Sequence, residues 1–249
     1  MPPQSDLTCE ETSTTTTSTI NIIAIRHGSS VSNEWMTGSN AWFSPTFCDD
    51  IQLADSPLSE TGIAQAQQEL PKELQCILDS TNLDDVIVLV SPLMRCLQTW
   101  FYGVQPLLPS VPTMIVPLLR ERIYSASDTG QPWGLLQNKC RELFTKDIAA
   151  SLDWSLLQDS HAVDESWWYT IPDGQTPPVE WRPCDEQQHY AVPGEPEDVF
   201  RERLQVLEEW LRREFVGKTV VLVTHWGVLH HFTQVEVPNC GICQWSFHD

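Results

Sequence analysis

Four junctions of the chain carry residues that can do chemistry. Arg26-His27-Gly28 ends a greasy β-branched run that begins at Ile20. Ser91-Pro92 and then Arg95 follow "DDVIVLV", Glu121 follows "TMIVPLLR", and His225 follows "TVVLVT". Two arginines, two histidines and a carboxylate suit phosphoryl transfer. Arginine presents a fixed fork of donors that fits phosphate oxygens and cannot lose its charge. Histidine titrates near neutrality, so a neutral ring nitrogen can attack phosphorus without a metal. A second histidine, if protonated, can hold the equatorial oxygens where negative charge spreads. A carboxylic acid can protonate a leaving alcohol. Gly28 is expected to let the backbone approach the phosphate closely.

These residues are far apart in sequence, so the elements between them must bring them together. Ile20–Ile25 reads as a strand buried on both faces. Ser59 is placed to cap a helix through "ETGIAQAQQELPKELQCIL". "DDVIVLVSPLMRCLQTWF" reads as strand then helix, with Ser91 as cap and Pro92 as first helical residue. "TMIVPLLRERI" is a short strand and a turn. Residues near Glu195–Phe215 form a charged amphipathic helix, and "KTVVLVTHWGVLHHF" is again strand then helix. Such alternation predicts a three-layer α/β/α sandwich with a mostly parallel central sheet. In open sheets of this kind ligands sit beyond the carboxyl ends of the strands. All four junctions lie there, at one edge of the sheet.

The chain has 249 residues, enough for one large domain with its own core. Its formal net charge is −20, from 34 acids against 14 bases. So acidic a surface repels nucleic acid and anionic membranes, and an anionic substrate needs a local cluster of the scarce arginines. No apolar stretch approaches the ~20 residues of a membrane span. Residues 1–19, with "TSTTTTST", read as a disordered Thr/Ser-rich tail, and 20–249 as a single catalytic domain. Between about 150 and 194 the alternation breaks. That stretch holds Trp154, Trp167, Trp168 and Trp181, with Arg182 and His189 among its few basic groups. It reads as an inserted cap or lid that either closes on an organic group or packs against the domain. Eight scattered cysteines suit a reducing, cytoplasmic setting, and the lone pair Cys240-Gly-Ile-Cys243 is a weak metal or redox signal.

The ordered pieces "RHGSSVSN" (26–33), "DSPLSETGIAQA" (55–66), "VSPLMRCLQT" (90–99), "LLRE" (118–121) and "VTHWGVL" (223–229) resemble the histidine phosphatase superfamily, in its phosphoglycerate mutase-like branch. The resemblance implies His27 as the nucleophile that becomes phosphohistidine. It implies Arg26, Arg95 and His225 as the phosphate pocket, with Asn33 assisting, and Glu121 as proton donor. Thr99 stands at the family spacing from Arg95, where it is expected to pack. Asp128 in "SASDTG" competes with Glu121, whose neighbours Arg120 and Arg122 make it look like one more exposed charge. Ser29, Ser32 and Trp226 depart from the family pattern and leave the substrate rim open.

The expected activity is phosphomonoester hydrolysis on a small phosphorylated substrate, on the acid side of neutral. Neither metal nor cofactor is expected, because arginines supply the positive charge. A phosphoglycerate mutase-type transfer is the nearest rival, and a non-catalytic phospho-ligand-binding protein of the same fold ranks third. The specific substrate and the oligomeric state are not legible.

Overall fold

A computed structural model describes residues 19–42, 44–160, 166–171, 190 and 192–248. The Thr-rich segment 1–18 and much of the 150–194 stretch, including Trp181, Arg182 and His189, lie outside the described residues.

Among the described residues six strands form one sheet: β1 (Ile20–Arg26), β2 (Val86–Val90), β3 (Thr113–Ile115), β4 (Leu152–Asp153), β5 (Thr219–Thr224) and β6 (Ile242–Phe247). The order across the sheet is β4-β3-β2-β5-β1-β6. Every pairing is parallel except β6, which runs antiparallel to β1. β1 alternates its apolar side chains between two cores, as a strand buried on both faces must. Ile23 and Ile25 join one cluster, while Ile20, Ile22 and Ala24 join the other.

Helices cover both faces. α1 (Val31–Trp35) follows β1; α2 (Glu60–Gln68), α3 (Leu70–Leu78) and α4 (Met94–Thr99) come next. α5 (Trp133–Leu143), α6 (Lys146–Ser151) and α7 (Ser155–Ser160) precede the long α8 (Glu197–Glu214), and α9 (Trp226–Thr233) follows β5. Phe200, Leu204, Leu207 and Leu211 of α8 recur at helical spacing and are all buried against the sheet. The arrangement is the three-layer α/β/α sandwich that the alternation predicts.

Four local expectations change. The helix begun at Ser59 is two helices, because Pro71 lacks the N–H that would continue the first. Ser59 does cap it, accepting from Gly62 N at 3.1 Å. α4 starts at Met94 rather than Pro92, and Ser91 is not its cap. Asp55 performs that role from far away, its Oδ1 accepting from Met94 N at 2.7 Å. Trp154 and Trp167 of the 150–194 stretch are buried in the core, and Gly130 leaves room for the Trp167 ring. β6 is an edge strand that the sequence reading did not anticipate.

Candidate active site

β5 enters the sheet between β1 and β2, so the carboxyl ends of those three strands stand side by side. Arg26 pairs in register with Thr224, and Ile25 with Val223, which pairs in turn with Val90. The next residues along are His27, His225 and Ser91. The sheet thus sets the two histidines together, with ring centroids 5.1 Å apart.

His27 is buried, at 4% exposure. Its Nδ1 lies 2.7 Å from the Gly28 carbonyl oxygen, which can only accept. Nδ1 therefore carries the proton and Nε2 keeps a lone pair. Arg95 Nε donates to that Nε2 at 3.2 Å. Burial, then the charges of Arg95 and Arg26, hold the imidazole well below its usual titration range. The ring is neutral at physiological pH, the form a nucleophile requires.

Arg95 arrives on the first turn of α4 and is itself buried. Its Nη1 donates to the Ser127 carbonyl at 2.6 Å and its Nη2 to Asp128 Oδ1 at 2.8 Å. The second Asp128 oxygen accepts from the backbone N–H groups of Tyr124 and Ser125. Arg26 donates from Nη1 to the Val237 carbonyl at 2.8 Å, while its Nε is buried with no partner among the described residues. A buried unsatisfied donor costs about 1–3 kcal/mol, and an anion would satisfy it.

Glu121 follows the turn after β3 and is buried, at 7% exposure. Its Oε1 accepts from Arg122 N at 2.9 Å and its Oε2 from Gly227 N at 3.0 Å. Burial first, and the nearby Asp128 second, push its pKa up to about 7. A Cβ at Gly227 would stand 2.3 Å from Glu121 Oε1. Gly227→Ala is accordingly expected to expel the carboxyl from its seat. The protonation step of that carboxyl at about pH 7 is expected to be lost with the seat, which a pH titration of the variant would register.

Arg26, His27, Asn33, Arg95, Glu121 and Asp128 all border a single cavity of about 490 Å³. Asn33 completes the capping box of α1 with the N-cap Ser30, its Oδ1 accepting from Ser30 N at 3.1 Å. His225 is not among the lining residues. It sits fully buried next to His27, sharing a 2.7 Å hydrogen bond between its Nε2 and Ser91 Oγ. Burial and Arg95 hold it well below its usual range, so the ring is neutral here.

A phosphoglycerate mutase from Bacillus anthracis superimposes over 93% of this chain and 89% of its own, with a TM-score of 0.51 at 14% identity. The chain has the phosphoglycerate mutase-like fold. An α-ribazole phosphatase from Shigella flexneri aligns over 91% of this chain and 89% of its own (19% identity, TM-score 0.46). A mycobacterial glucosyl-3-phosphoglycerate phosphatase aligns over 92% and 90% (14% identity, TM-score 0.47). No protein-family model and no curated protein sequence matches the chain.

Several supports of this site were not visible in the sequence. Glu195 takes a bidentate pair from Arg120, at 2.6 and 2.7 Å, and a further contact from Arg203 at 3.2 Å. Arg203 also donates to the carbonyls of Leu118 and Arg120. This buried cluster fixes the turn that carries Glu121, so Arg120 is a strut rather than an exposed charge. Arg122 pairs with Glu197. Gly28 answers a packing need: a Cβ there would lie 2.8 Å from the Gly62 carbonyl. Its N–H donates to Thr99 Oγ1 at 3.0 Å, so Thr99 ties the β1 tip to α4. Among the described residues no three His, Cys, Asp or Glu side chains converge as a metal site, and no helix is long and apolar enough to cross a membrane.

Asp55 is the largest omission. It is buried with φ 47°, in the left-handed region that a residue other than glycine seldom adopts. Burial pushes its pKa up to about 7. A carboxyl raised above its unfolded value stabilises fully below the unfolded pKa, and that stability is lost as pH rises through about 7. Asp55→Asn removes this titration. Denaturant melts at pH 5 and pH 8 are expected to show the wild type losing stability relative to the variant as pH rises, by an amount on the order of a few kcal/mol.

Proposed function

We propose that this chain is a member of the histidine phosphatase superfamily and a phosphomonoester hydrolase acting through phosphohistidine on His27. The observation that carries the reading is the state of that imidazole. It is neutral, anchored through Nδ1–H to a carbonyl, and holds its Nε2 lone pair beside Arg95 in a cavity that Arg26 also borders.

In the first step Nε2 attacks phosphorus in line and the P–O bond to the alcohol breaks. Glu121, protonated below pH about 7, gives its proton to the departing oxygen. In the second step the ionised Glu121 takes a proton from water as that water attacks the phosphohistidine, which restores His27 and releases phosphate. Arg26 and Arg95 hold the phosphoryl oxygens throughout. A dianionic phosphoryl group at His27, whose ring centroid lies 5.1 Å from that of His225, favours the charged form of the second imidazole. Burial raises the Asp128 pKa too, but the Arg95 guanidinium and two backbone N–H groups oppose that rise, which makes Asp128 the weaker donor candidate. Neither metal nor cofactor enters this scheme, since the two arginines carry the charge.

Hydrolysis is favoured over mutase transfer by the charges that border the cavity. Arg26 and Arg95 are its only cations among the described residues, against Glu121, Asp128 and Glu236. A diphosphorylated intermediate would lack partners for its second phosphate. The six described cysteines are free, which fits a cytoplasmic protein. Incubation with a panel of phosphomonoesters that includes p-nitrophenyl phosphate and 3-phosphoglycerate is expected to release inorganic phosphate. Isomerisation of 3-phosphoglycerate without phosphate release would overturn the hydrolase reading.

A further inference from the structure

Beyond the phosphate end, the same cavity is bordered by Met36, Trp42, Tyr124 and Trp226. Its volume of about 490 Å³ lies in the range of ~300–1,000 Å³ typical of sites for organic ligands. The rings are held before anything binds. Trp42 stacks on Phe47, centroids 4.9 Å apart at 18°, and meets Tyr124 edge-on at 6.2 Å. Trp226, which departs from the small residue of the family pattern, stacks on His230 at 4.9 Å and 12°. Its Nε1 donates to Glu236 Oε2 at 2.8 Å. Rings fixed in this way lose little conformational freedom on binding.

The charges point the same way. Arg95 is already paired with Asp128, and the next cation outward, Arg122, with Glu197. One phosphate therefore takes up the positive charge that the cavity offers. A second anionic group would meet Glu236, which is exposed at the cavity.

We propose that the natural substrate is the phosphomonoester of a flat, apolar or aromatic alcohol bearing no second anion, with Trp42 and Trp226 as its specificity-determining residues. This rests on the phosphatase reading of the site. Three probes that all leave as primary alkoxides separate recognition from leaving-group chemistry: 2-(1-naphthyl)ethyl phosphate, 2-hydroxyethyl phosphate and 3-phosphoglycerate. The wild type is expected to prefer the naphthyl probe to the hydroxyethyl probe by about tenfold in kcat/KM, mainly through KM. Trp226→Ala and Trp42→Ala are each expected to cut that preference about three- to tenfold, and Trp226→Phe to retain it. Glu236→Gln is expected to raise kcat/KM on 3-phosphoglycerate about fivefold relative to the hydroxyethyl probe. A wild type that prefers 3-phosphoglycerate, or a naphthyl preference unmoved in both alanine variants, overturns the proposal. If neither these probes nor p-nitrophenyl phosphate are hydrolysed at all, the phosphatase reading itself falls, and this inference with it.

Discussion

His27→Ala is expected to lose phosphomonoesterase turnover by roughly 10⁵-fold or more, the scale at which removing a nucleophile acts in other covalent enzymes. The loss falls on kcat. Phosphate binding still has Arg26, whose Nε gains a partner from the ligand. Arg95 Nε loses the Nε2 acceptor it now uses, so it too becomes available to phosphate. The variant is expected to bind inorganic phosphate with an affinity close to that of wild type while turning nothing over. A second signature is independent of rate. Wild-type protein mixed with labelled substrate and quenched in alkali is expected to carry an acid-labile phosphoryl group, and the alanine variant none. Turnover by the variant at the wild-type rate would end the phosphohistidine mechanism, whatever the substrate.

Glu121→Gln is expected to lower kcat on alkyl phosphates by about 10²- to 10⁴-fold. The pH profile carries the sharper statement. Glu121 is protonated below about 7, so the wild-type rate on an alkyl ester is expected to fall as pH rises through that value. Glutamine cannot titrate, and the variant is expected to lack that limb. The substrate's own ionisation near pH ~6 affects both proteins alike, so the difference between the two profiles isolates Glu121. At the acid end the depressed His27 keeps its lone pair to well below the usual imidazole range. Leaving-group chemistry offers a control. p-Nitrophenol departs without a proton, so its ester is expected to lose far less in the variant than an alkyl ester. Equal losses on both would assign Glu121 a structural role, and Asp128→Asn would then be the variant to examine.

Arg26, His27, Arg95 and Glu121 were legible because their signal is local, whereas Met36, Trp42, Tyr124 and Glu236, which border the same cavity, carried no such signal. An isoleucine-rich run such as Ile20–Ile25 announces a strand, and the topological rule for open sheets says what its far end is for. The spacing of Phe200, Leu204, Leu207 and Leu211 likewise announces a helix with one buried face. What stayed hidden depends on contacts made across the chain. Asp55 caps α4 only because the loop before α2 folds back over it. Glu195 meets Arg120 and Arg203 only once α8 has docked. The burial of Glu121 between two arginines contradicts its local composition, because those arginines turn toward other carboxylates. Trp154 and Trp167 looked equally suited to a lid or to a core, and only packing separates those outcomes. β6 lacks a clean alternation, since an edge strand has one partner and most of its residues are partly covered.

The late arrival of β5 between β1 and β2 constrains how the protein is made. While a ribosome is still translating the first two hundred residues, β1 and β2 have no strand between them, and each offers raw backbone to any passing chain. Both histidines meet only when that gap is filled, so catalytic competence and escape from aggregation are acquired in the same closing event.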